Sequence, residues 1–228
     1  METLAENIQR IQGSIHAAAA RAGRDPAAIE LVTVSKTVGA ERVREAFAAG
    51  LRHFGENRAQ ELAAKVRALG DLAIEWHFVG HLQTNKVRQV MPPARLIHSV
   101  DRVGLAEKID RRAAPGQQSI LIQVNTTGEE SKSGIAPGEL PALLDACAEL
   151  PHLTVDGLMT IGPLTGDAAL IRAAFRRLRA LRDQEAARGR PRAPLKHLSM
   201  GMTGDYEIAI EEGATMLRIG TAIFGARN

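Results

Sequence analysis

Leu4, Ile8, Ile11 and Ile15 recur at intervals of three and four residues with polar positions between them, the stripe of an amphipathic helix over about 2–22 that Gly23 stops ahead of Asp25-Pro26. The period then changes. Leu31 to Lys36 is a β-branched run, a helix-forming stretch follows from Ala40 to Ala49, and the strand-then-helix unit repeats. Further strands are read at 52–55, 75–80, 96–100, 119–125, 154–158, 196–199 and 215–219. The helices between them fall at about 57–69, 84–91, 102–113 and 137–150, in an arginine-bearing segment around 171–182, and at 204–212.

Short strands joined by crossover-length helices make a parallel sheet. Eight such units in one chain fit a closed (β/α)8 TIM barrel, with a doubly wound open sheet as the competing α/β arrangement. The first strand-to-helix turn, Ser35-Lys36-Thr37-Val38-Gly39, lacks the glycine fingerprint of a dinucleotide site, which removes the usual reason to prefer the open sheet. No Pro/Gly/Ser-rich linker divides the chain, so a single domain over 1–228 is expected, with 220–228 forming one short turn.

Composition narrows the class. The 228 residues are 45% hydrophobic and 24% charged, an ordinary soluble composition. The N-terminus lacks the basic start and apolar stretch of a signal peptide, and no apolar run reaches the roughly 18 residues that cross a bilayer. A cytoplasmic protein without a membrane partner is expected. Cys147 is the sole cysteine, which excludes an intrachain disulfide or a cysteine cluster; no metal site is read. Arg172, Arg176, Arg177, Arg179 and Arg182 alternate with Ile171, Ala174, Phe175, Leu178 and Leu181, and so form the wet face of one helix. Only 3% of residues are aromatic, which leaves little for base stacking, and no nucleic-acid partner is expected.

In a barrel the chemistry gathers at the C-terminal ends of the strands. Lys36 stands at the first such end. Ser199-Met200-Gly201-Met202-Thr203-Gly204 runs toward a helix start, and Gly220-Thr221 offers further donors one loop later, the place where barrels commonly bind phosphate. An amine facing a phosphate cradle fits a phosphorylated aldehyde cofactor.

The segments Ser35-Lys36, His53 to Asn57, Trp76 to Lys86, Gly157 to Ile161, Leu198 to Thr203 and Arg218 to Thr221 resemble, in the same order and over almost the whole chain, the pyridoxal phosphate homeostasis proteins. That resemblance implies a barrel like the N-terminal domain of alanine racemase, with Lys36 holding pyridoxal 5′-phosphate as an internal aldimine. Partial burial and the charge of Arg218 would favour the neutral amine that this requires. It further implies Ser199, Gly201, Thr203, Gly220 and Thr221 around the phosphate, and Arg218 beside the pyridine nitrogen or, alternatively, on the phosphate. Asn57 contacts the hydroxyl side of the ring or caps the second barrel helix; His81 lines the site or ties down its own loop; Met159 packs against the cofactor. His77, mid-strand, reads as a core group.

No catalytic residue is assigned. Racemisation needs acid/base groups on both faces, and the β domain that supplies the second in alanine racemase is not expected here; Tyr206 follows the phosphate loop and is poorly placed to substitute. The resemblance thus implies a monomeric carrier that controls free pyridoxal phosphate, takes other B6 vitamers and contacts pyridoxal-phosphate-dependent apoenzymes transiently. The alternative is a slow, racemase-like enzyme using Lys36 as its base.

Overall fold

The computed structural model describes residues 2–113, 116–129 and 132–225. Eight parallel strands close in chain order: β1 (Glu30–Val34), β2 (His53–Glu56), β3 (Glu75–Phe78), β4 (Ala94–Val100), β5 (Gln118–Gln123), β6 (Leu153–Met159), β7 (His197–Ser199) and β8 (Met216–Ile219). Closure is made by β1 against β8, with Thr33 opposite Ile219 on one side and Phe54 on the other. The open-sheet alternative is thereby excluded.

α1 (Leu4–Arg21) precedes the barrel. Its start is fixed by a capping box in which Glu6 N donates to Thr3 Oγ1 over 3.2 Å and Thr3 N to Glu6 Oε2 over 2.7 Å. Its buried stripe is the expected one, Leu4, Ile8, Ile11 and Ile15, and Asn7 Nδ2 donates to Ile223 O near the end of the described chain.

The barrel helices are α2 (Ala40–Ala48), α3 (Ala59–Ala68), α4 (Val87–Val90), α5 (Val103–Ala113), α6 (Leu140–Ala148), α7 (Ala168–Ala186), α8 (Tyr206–Glu211) and α9 (Thr221–Phe224). The helix expected over 84–91 divides into a 3-10 turn, Thr84–Lys86, and the single turn of α4. The one expected over 204–212 begins two residues later, because Asp205 is spent on the preceding turn, accepting from Met202 N. The final turn is α9, and residues 226–228 of the expected tail lie outside the described residues.

The arginine-bearing face points outward as read, with Arg176 and Arg177 exposed and Arg172, Arg179 and Arg182 half-buried, yet all five are engaged, three of them with one carboxylate. Arg172, Arg176 and Arg179 all pair with Glu212, at the C-terminal end of α8. They fasten α7 to α8.

Strand periodicity places the interior. Val32, Val34 and Val79 surround the position where a Gly55 side chain would point, and Leu96, Leu121, Met159 and Met216 form an apolar layer of their own. By that alternation Glu30, Val32 and Val34 share one inward row, as do His53, Gly55 and Asn57, and Met216, Arg218 and Gly220. A polar layer at the N-terminal end, a mixed middle and a cleft at the C-terminal end therefore lie on the same set of alternate positions.

Candidate functional site

A cleft of about 750 Å³ opens at the C-terminal ends of the strands, within the size range of small-ligand sites. Lys36, Asn57, Gly80, His81, Thr203, Arg218, Gly220 and Thr221 all line it. These eight residues, from five separate segments, converge because each segment follows, or closes, a barrel strand.

Lys36 lies two residues beyond the end of β1, half-buried. Its seat is rigid. Ser35 N continues the strand by donating to Gly55 O, while Thr37 adopts a φ of 64°, uncommon for a β-branched residue. Glu61 holds that turn by accepting from Thr37 N over 2.8 Å. Behind it, Glu56 is wholly buried, bonded to Lys65 and to Ser35 Oγ at 2.6 Å. Burial pushes the Glu56 carboxyl up, against the opposing pull of Lys65 and Ser35. A positive-φ turn held by Glu61, next to a buried ionic network that fixes Ser35, thus seats the amine at the cleft.

Arg218 enters the cleft from below. Its Nη1 donates to Ser199 Oγ over 2.7 Å and its Nη2 to Thr160 O over 2.8 Å. Burial lowers its pKa to about 10, with Asp205 opposing, so the guanidinium stays cationic at neutral pH. A chain of hydrogen bonds continues downward from Ser199: Oγ to His98 Nδ1 at 2.9 Å, then His98 Nε2 to His77 Nδ1 at 2.9 Å. Burial, with like charge adding to it, pushes His98 well below the ordinary imidazole value and His77 to about 3, so both rings are neutral.

The rest of the lining is short of partners. Among the described residues the amides of Thr203, Gly204, Gly220 and Thr221 make no intramolecular hydrogen bond, and Asn57 Oδ1 is buried without one. Unpaired donors at two adjoining turns suit an anion, and an unpaired buried acceptor suits a ligand donor. Gly80 is required by close approach, since a Cβ there would lie 2.2 Å from Asn57 O. His81 sits at the rim, 3.5 Å from Asp101.

Three expected positions are not on the lining. Met159 is in the buried apolar layer of the barrel, because strand alternation turns it below the cleft. Ser199 points inward to Arg218 and His98. Gly201 lies under α8, where a φ of 94° and a distance of 2.6 Å from a would-be Cβ to Ala209 Cβ demand glycine. The N-cap of α3 is Arg58, so Asn57 does not cap that helix. Tyr206 is buried in the core and absent from the lining.

Sequence reasoning missed Thr160 as a holder of Arg218, His98 as the partner of Ser199 behind it, and Gln123 and Ser133 on the lining. A histidine in the apolar run Leu96-Ile97-His98 was the available signal.

Fold and site together define a lysine-bearing (β/α)8 barrel of the alanine racemase N-terminal type. The family model described as alanine racemase, N-terminal domain, matches residues 2–228. A pyridoxal phosphate homeostasis protein of Pseudomonas aeruginosa is 48% identical over 231 aligned residues, covering 100% of this chain and 97% of that protein. One from Aquifex aeolicus is 47% identical over 224, covering 97% of each. The chain belongs to the pyridoxal phosphate homeostasis protein family. PipY of Synechococcus elongatus, solved with pyridoxal phosphate bound, superposes with a TM-score of 0.85 at 38% identity, over 98% of this chain and 100% of that one. Alanine racemase from Corynebacterium glutamicum shares the fold at 17% identity, TM-score 0.73, over 95% of this chain and 61% of its own.

Proposed function

We propose that the chain binds pyridoxal 5′-phosphate in this cleft and acts to control the free level of that cofactor. One observation carries the reading: the Lys36 amine, the unpaired amides of Thr203, Gly204, Gly220 and Thr221, and the Arg218 guanidinium line a single cleft. Membership of the family and the ligand named for the PipY structure support it.

When bound, the cofactor supplies an aldehyde reactive toward amines and an electron-withdrawing ring. Lys36 is the amine offered to that aldehyde. The loop amides with the hydroxyls of Thr203 and Thr221 would hold the phosphate, and Asn57 Oδ1 would take the hydroxyl side of the ring. Arg218, fixed by Ser199 and Thr160, would be a permanent donor to the pyridine nitrogen or, alternatively, to the phosphate; a guanidinium does not yield its proton, so at the nitrogen it would restrain the ring's electron demand. Met159, Ser199 and Gly201 serve indirectly, by packing and by positioning Arg218 and the loop.

As a monomeric cytoplasmic carrier the protein would take other B6 vitamers more weakly, for want of the phosphate, and pass the cofactor to apoenzymes by transient contact. No helix among the described residues is long and apolar enough to cross a membrane. Leu164, almost wholly exposed on the cleft's rim, is consistent with such contact.

Equilibrium dialysis of the purified chain against pyridoxal phosphate and pyridoxal, followed by addition of an apo-transaminase, tests the reading. Stoichiometric retention of the phosphate form and activation of the transaminase are expected. Equal affinity for both compounds, or retention of neither, overturns it.

A further inference from the structure

The N-terminal mouth of the barrel, at the far end from the cleft, carries a second constellation. Glu30 opens β1, His53 opens β2 and His77 lies inside β3, and the inward alternation of the strands brings the three together. His53 Nδ1 is 3.4 Å from His77 Nε2 and 3.6 Å from Glu30 Oε2, and His77 Nε2 is 3.5 Å from Glu30 Oε1. We propose that Glu30, His53 and His77 bind a divalent transition-metal ion of the zinc class.

The donor set is two imidazoles and a carboxylate, a combination that zinc takes with an open fourth position. Spacing agrees with it. For metal–ligand bonds of about 2.0–2.1 Å, tetrahedral geometry separates the donors by about 3.3–3.4 Å. The two imidazoles are 3.4 Å apart, at that value, and Glu30 meets them with different oxygens at 3.6 and 3.5 Å, so a small turn of its carboxylate presents one oxygen to the ion; all three contacts are too long for good hydrogen bonds.

Two features of the surroundings point the same way. Glu30 Oε1 is buried with no hydrogen-bond partner, a cost that a cation at this point removes. His77 is wholly buried, and its other nitrogen is bonded to His98 at 2.9 Å, an outer contact that orients the ring and, when Nδ1 is the donor, leaves the Nε2 lone pair for a metal. The fourth position is served by water or by Glu75, whose Oε2 is 3.8 Å from His53 Nδ1. Arg95 reaches the carboxylates from outside, 3.5 Å from Glu30 Oε2 and 2.8 Å from Glu75 Oε2. It is half exposed and keeps Glu75 when Glu30 turns to the metal.

The test is independent of the cofactor cleft. Zinc(II) and cobalt(II) are titrated separately into the metal-stripped full chain, with calorimetry for the first and the visible ligand-field spectrum for the second. Stoichiometric binding and the intense bands of tetrahedral cobalt are expected. His53→Ala, at a half-buried surface position, and Glu30→Gln should each weaken binding more than about tenfold, with unchanged circular dichroism showing that the variants fold. Absence of stoichiometric binding in the parent chain, or binding that survives undiminished in both folded variants, overturns the proposal.

Discussion

Arg218 Nη1 donates to Ser199 Oγ over 2.7 Å, and in making that bond Ser199 turns into the barrel, away from the loop formed by its neighbours Thr203 and Gly204. Two residues of one short segment thus serve different ends. Thr203 lines the cleft; Ser199 holds the cation that lines it.

Ser199→Ala should therefore act through Arg218. The substitution removes one of the two fixed partners of a buried guanidinium and strips His98 Nδ1 of its partner, at a cost of about 1–3 kcal/mol in urea unfolding. Affinity for pyridoxal and for its phosphate should fall by the same factor in equilibrium dialysis. A loss confined to the phosphorylated compound would place Ser199 on the phosphate instead.

Thr203→Ala should show the complementary pattern. Thr203 is exposed and its hydroxyl accepts only a long bond, 3.3 Å, from Ala222 N, so stability should change by no more than about 0.5 kcal/mol. Loss of a charge-assisted bond to phosphate costs about 1.5–3 kcal/mol, roughly a ten- to hundredfold fall in affinity for pyridoxal phosphate. Binding of pyridoxal should not change, and the same dialysis reads both.

Glu212 governs an acid limb of stability. Burial alone pushes its carboxyl up, but hydrogen bonds from Arg176 and Arg172 and the charge of Arg179 more than reverse this, leaving the pKa lowered. A depressed folded value contributes stability above the ordinary glutamate range and loses it as pH falls through the folded value. Urea midpoints measured from neutral pH downward should decline through that window in the parent chain. Glu212→Gln should be less stable at neutral pH and show a shallower decline.

The barrel was legible because strand and helix periods differ and neither was interrupted; every expected strand overlaps an observed one. Their C-terminal ends were less legible. The run Leu31 to Lys36 continues past Val34 only in the polar Ser35 and Lys36, and nothing local announces that Thr37 takes a positive φ. The cleft residues Lys36, Asn57, His81, Thr203, Arg218, Gly220 and Thr221 follow from the rule that barrel sites sit after the strands. Ser199 and Met159 failed that rule because they close their strands in the inward row, where side chains fill the barrel. His98, at the centre of the chain from Arg218 to His77, could not be read without the register that sets β4 near β7 across the interior.

The central claim is that Lys36 is the amine that captures the cofactor, and borohydride reduction of the loaded protein followed by peptide mapping tests it most directly. Lys36 lines the cleft on a turn held by Glu61 and the Glu56–Lys65 pair. The expected result is a pyridoxyl label on the peptide containing Lys36, and no label after the same treatment of Lys36→Ala, whose circular dichroism should match the parent. A label on Lys86 or Lys132, or one that persists in Lys36→Ala, would contradict it.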